Sequence, residues 1–86
     1  MMNVTVFVKI SGYNSFFKVN YEVRKSNKGY KVARVNASEE ISKAEYYKQP
    51  PESRFIRRGI VDIGCGDIHQ VGNESFFERL DSLAKR

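Results

Sequence analysis

The sequence predicts an α+β fold, an antiparallel sheet of element order β-β-β-α-β-α with two helices packed on one face. Three observations carry that expectation. Two stretches near the start alternate apolar and polar residues with the period of a half-buried strand, each is followed by a short glycine-containing turn, and the last stretch changes to helical spacing. With 86 residues the chain has room for a single small domain, taken as residues 1–86.

In residues 4–10, Val4, Val6, Val8 and Ile10 share one face while Thr5, Phe7 and Lys9 share the other. The turn "SGYN" follows, and then Phe17, Val19, Tyr21 and Val23 alternate with Phe16, Lys18, Asn20, Glu22 and Arg24. A hairpin that sets Val8 opposite Phe17 and Val6 opposite Val19 brings the apolar faces together without a register shift. It also sets Phe7 opposite Lys18 and Lys9 opposite Phe16. "SNKG" reads as a type I turn closed by Gly29 in the left-handed region, which pairs Val23 with Ala33, Tyr21 with Val35 and Glu22 with Arg34 in a third strand over residues 30–35.

Asn36 with Glu39 three residues later resembles an N-cap pair, and Ala37, Ile41, Ala44 and Tyr47 recur at helical spacing. A first helix is therefore expected to start at Asn36 and end before Pro50. The two prolines of "KQPPESR" interrupt regular structure. Ile56, Ile60, Val61 and Ile63 predict a fourth strand over residues 55–63, and "GCGD" breaks it. Asn73 is placed at the cap of a last helix whose stripe is Phe76, Phe77, Leu80, Leu83 and Ala84, with Lys85 and Arg86 at the end where the helix dipole favours cations.

The chain carries fifteen Lys and Arg against ten Asp and Glu, a formal net charge of +5. An anionic partner follows as the first expectation. The lone Cys65 gives no internal disulfide framework and fits a reducing, cytoplasmic setting. No apolar run is long enough to span a membrane as a helix, and the first residues lack the pattern of a secretory signal.

The stretch "VDIGCGD" at residues 61–67 bears on catalysis. Asp62, Gly64 and Gly66 resemble the first motif of S-adenosylmethionine-dependent methyltransferases, whose glycines let the backbone approach a cofactor at a strand-to-helix turn. That family needs several βα units, whereas this chain supplies an antiparallel meander upstream and one helix downstream, so a cofactor is not expected. His69, Asp67, Asp62 and Cys65 lack the paired spacing of a metal site, and nothing in their order selects a nucleophile with its base. The expectation is a chain that is not an enzyme and holds no metal.

The remaining candidate is the sheet face turned away from the helices. Phe7, Lys9, Phe16, Lys18, Arg24, Tyr30, Val32 and Arg34 interleave aromatics with cations there, a surface on which bases stack while cations hold phosphates. Lys25, Lys28 and Lys31 add charge around the second hairpin, and "RFIRR" adds Arg54, Arg57 and Arg58. The expected RNA contacts are Lys18, Arg24, Lys28, Lys31, Arg34, Arg57 and Arg58, with Phe7, Phe16 and Tyr30 stacking bases or forming a dimer face. The competing expectation is a homodimer or a protein-binding inhibitor that uses the same face without nucleic acid.

The signature string of the RNA-recognition motif and the GXXG loop of the KH domain are both missing from the sequence. In size, in Lys, Asn, Phe and Tyr usage and in basic charge, the chain is similar to small accessory proteins of large tailed phages. Among these it resembles phage-encoded RNA-binding inhibitors of type III toxin–antitoxin ribonucleases. The resemblance is one of overall character with no matched motif, so no functional residue carries over. It implies a viral, antitoxin-like protein in the host cytoplasm that binds RNA together with a host defence nuclease and inhibits it without doing chemistry.

Overall fold

The structure, a computed structural model, describes residues 2–59, 63–64 and 66–85. Strand β1 (Met2–Ile10) and strand β2 (Phe16–Lys25) form the first hairpin, and β2 forms the second with β3 (Lys31–Ile41). Helix α1 (Lys43–Tyr47) and a 3-10 turn (Pro51–Ser53) lead to β4 (Arg54–Arg57); β5 (Asp67–His69) precedes helix α2 (Glu74–Ala84). The five strands make one sheet in the order β4-β1-β2-β3-β5.

Both hairpins have the register expected from their alternation. Val8 faces Phe17, Val6 faces Val19 and Val4 faces Tyr21. Across the second hairpin, Val23 faces Ala33 and Tyr21 faces Val35. Gly29 closes that turn at φ +88°, its N–H donating to the Ser26 carbonyl at 3.0 Å. A left-handed backbone there favours the residue without a Cβ.

The apolar face of this meander is the core. Val6, Val8, Val19, Tyr21 and Leu80 are fully buried, and Phe76 of α2 packs edge-on to Tyr21 and Phe55 with centroid separations of 5.4 and 5.5 Å. Burial of this apolar area is the main stabilising contribution to a domain of this size. Helix α2 carries the expected stripe, Phe76, Phe77 and Leu80, onto the sheet.

Four expectations are corrected. No helix starts at Asn36, because β3 runs on to Ile41 with Asn36 as the extra residue of a bulge, between the pairs Tyr21 with Val35 and Asn20 with Ala37. A bulge shifts the strand by one residue and reverses which side chains face the core. Ile41 thereby joins the row of Phe16, and a strand with this change of phase mimics helical spacing. The helix itself starts after Ser42, whose hydroxyl accepts from the Glu45 N–H at 3.1 Å.

The second correction concerns the faces. Phe16 is one residue out of phase with Phe17, which packs against the core, so Phe16 lies on the outer face. It is buried there by Tyr46 at 5.0 Å and Tyr47 at 5.9 Å, which places α1 on the face opposite α2. Third, the sheet is mixed: β4 pairs with β1 in parallel, because residues 42–53 cross over two strands before the chain re-enters the sheet. Fourth, part of the stretch expected to be loop, Asp67–His69, is a strand paired antiparallel to residues 32–34. The fourth strand occupies Arg54–Arg57 only, and residues 60–62 of the longer strand expected lie outside the described residues.

Candidate nucleic-acid interface

Strand register determines which cations share a surface. On the outer face, one row across the sheet reads Asn3, Glu22, Arg34 and Asp67, and the next reads Arg24, Val32 and His69. Tyr30 immediately precedes β3, and its ring meets the His69 imidazole edge-on at 5.7 Å. Together these side chains line a concave surface between the end of the second hairpin and β5, with Arg24, Asn27, Tyr30, Val32, Asp67 and His69 on its walls.

Residues 24–31 of that hairpin, "RKSNKGYK", hold four cations and no carboxylate. Arg24, Lys25 and Lys28 make no ion pair among the described residues. Lys28 sits in the exposed turn, where its backbone N–H donates to the Ser26 hydroxyl at 3.2 Å. Arg34 lies 3.5 Å from Asp67, with both side chains at least one-third exposed. Such a pair is weak in water, and Arg34 remains available to a second anion.

The other residues expected in the interface are distributed differently. Lys31 shares the α2 side of the sheet with Lys25, and its ammonium lies 3.4 Å from Asp81. Arg57 also faces α2, with its guanidinium 4.3 Å above the Phe76 ring and donating to Asn73 Oδ1 at 3.0 Å. Both cations bind the protein's own helix, so neither belongs to an outer-face patch. Arg58 is exposed just past the end of β4, at the far edge of the sheet from the hairpin.

Phe16 is corrected most sharply: at 2% exposure beneath Tyr46 it offers no face to a base or a second subunit. Phe7 is half-buried in a row with Lys18 and Arg54. Lys18 is exposed but faces Glu39 on β3. Between that row and the hairpin end runs a neutral ladder, in which Asn36 Nδ2 donates to Asn20 Oδ1 at 3.2 Å and Asn20 Nδ2 to Thr5 Oγ1 at 3.0 Å. The long basic and aromatic strip expected from alternation is thus divided, and of the expected contacts Arg24, Arg34 and Tyr30 gather beside β5, with Lys28 in the exposed turn of the same hairpin.

Sequence reasoning treated Asp67 and His69 only as catalytic or metal candidates. Their place beside Tyr30 depends on β5, a three-residue strand with no alternation to reveal it. Gly66, at φ +142°, carries the chain into that strand in a conformation that suits glycine. Asn73 then fixes the far end of β5 by donating from Nδ2 to the His69 carbonyl at 3.0 Å. The methyltransferase-like motif is therefore partly accounted for as the lead into β5; its Asp62 and Cys65 lie outside the described residues.

Among the described residues, no group of three or more His, Cys, Asp and Glu side chains gathers as a metal site. None of their helices is long and apolar enough to cross a membrane. Comparison with protein-family models, curated proteins and solved structures gives no match.

Proposed function

We propose that this chain is a non-enzymatic RNA-binding protein whose contact surface is the end of the second hairpin together with β5. The observation that carries the reading is the run of residues 24–31, in which Arg24 lines the same concavity as Tyr30 and His69 and neither Arg24 nor Lys28 makes an ion pair among the described residues. Cations of this kind bind phosphates irrespective of sequence, while exposed aromatic faces take up unstacked bases. The resemblance to phage inhibitors extends the proposal to a host nuclease as a second, protein partner in the cytoplasm.

Protein purified at low salt is expected to carry nucleic acid, seen as a raised 260 to 280 nm absorbance ratio and a mass that falls after ribonuclease treatment. A ratio of pure protein, with no RNA shift on a gel, would remove the reading.

One observation favours the second reading, self-association or protein contact. Ile56 and Tyr47 are 66% and 50% exposed at the opposite end of the outer face, where an apolar patch suits a partner surface. A mass of two chains that ribonuclease leaves unchanged would support it over RNA.

A further inference from the structure

We infer that the concavity beside Tyr30 takes up one unpaired guanine base, stacked on the Tyr30 ring and read by the Asp67 carboxylate. This rests on the RNA-binding proposal and assigns the ligand of that same surface.

Asp67 is the feature that phosphate binding alone does not explain. A carboxylate beside Arg24 and Arg34 repels the phosphates those cations attract. It becomes favourable where the ligand presents hydrogen-bond donors, in RNA the ribose 2′-hydroxyls and the N–H groups of the bases, and only the latter differ from base to base. Asp67 and His69 are two residues apart on one strand, so their side chains stand on the same face about 6.6 Å apart. Tyr30 lies against His69, and the wall that holds a stacking ring thus holds the acceptor too.

The chemistry of the base edges then selects among the four. Guanine presents N1–H and the N2 amino group side by side, which matches the two oxygens of a carboxylate. Cytosine and adenine each place one amino group beside a ring acceptor, and uracil places one N–H between two carbonyl oxygens. Those neighbouring acceptors oppose the carboxylate. In a duplex the same edge is already paired, so the site requires a single strand. Arg34 lies 3.5 Å from the Asp67 carboxylate, which stays partly exposed.

The test is fluorescence anisotropy with a short labelled oligouridine and the same strand carrying one central guanosine, inosine, cytidine or adenosine. A good two-bond base contact gives about tenfold discrimination. The guanosine strand is expected to bind about tenfold tighter than the others, with inosine, which lacks the N2 amino group, losing most of that gain. Asp67→Asn is expected to erase the preference, so that this variant binds the guanosine strand no tighter than it binds oligouridine. The inosine comparison needs no altered protein, so it stands even if that variant misfolds. Equal affinity for all five strands with strong salt dependence would overturn the guanine assignment and leave RNA binding intact. No salt-dependent binding to any strand would overturn both.

Discussion

The Tyr46 hydroxyl donates a 2.8 Å hydrogen bond to the carbonyl of Phe55 in a buried setting, joining α1 on the outer face to strand β4. This bond spans only nine residues of sequence, yet it fixes the return of the crossover to the sheet. Burial raises the Tyr46 pKa, with the neighbouring Tyr47 adding to the effect. Tyr46→Phe keeps the ring against Phe16 and removes the bond. It is expected to cost about 1 kcal/mol, a fall in Tm of about 4–8 °C for a chain of this length. A raised folded-state pKa means that this contribution is full below the tyrosine's ordinary value of 10.0 and is lost as pH rises through the folded value. Thermal melts of both proteins from neutral to alkaline pH check it, the gap between them closing on the alkaline side.

Arg79 of α2 holds the same crossover from the other side. Its guanidinium lies 3.7 Å above the Phe55 ring and donates to the carbonyls of Glu52 and Arg54 at 3.1 and 2.9 Å. Arg79→Ala is expected to destabilise by about 2–3 kcal/mol in urea unfolding, the sum of a charged hydrogen bond and part of a cation–π contact. Arg79→Lys should recover only a fraction, since a lysine cannot serve two carbonyls and a ring in one plane.

Acid sensitivity should originate at α2. Glu74 is held below its ordinary pKa of 4.5 by its own backbone N–H and that of Gly72, which donates to its Oε2 at 3.0 Å. Asp81 is held below 3.8, first by the hydrogen bond from Lys85 and then by the charge of Lys31. A depressed folded-state pKa contributes stability that is present above the ordinary value and lost as pH falls through the folded one. Unfolding midpoints should therefore decline as pH drops below about 4.5, and Glu74→Gln should flatten the upper part of that decline.

Ile56 separates the two functional readings. It is exposed on the outer face of β4, so Ile56→Lys should leave the unfolding free energy within about 0.5 kcal/mol of the parent. If copies associate through this end of the face, the same change should yield monomers by light scattering. RNA retention at the hairpin end should be unaffected.

The hairpins were legible because alternation and turn chemistry specify the same register, so Val8 with Phe17 and Val23 with Ala33 follow from spacing alone. Asn36 was not legible, since a bulge adds one residue without a marker of its own and only the partner strand shows the change of phase. The buried Phe16 was assigned to its correct face, but the sequence does not say that α1 will cover that face. Arg34 was assigned to its correct face by alternation, whereas Lys31 was added for its proximity to the second hairpin, although residues three apart on a strand face opposite sides. His69 and Asp67 joined the site through β5, whose three residues are too few to show a period.

The central claim is that the second hairpin binds RNA through its cations. Its most direct measurement is the affinity of a labelled single-stranded RNA as a function of salt, for the parent and for Arg24→Glu with Lys28→Glu. Both residues are exposed and neither makes an ion pair among the described residues, so the double variant should fold as the parent does. Log affinity for the parent should fall linearly with log salt, with a slope of about −0.7 for each phosphate neutralised, and should become shallower by about 1.4 when two contacts are lost. An unchanged slope and affinity in the folded double variant would contradict the claim.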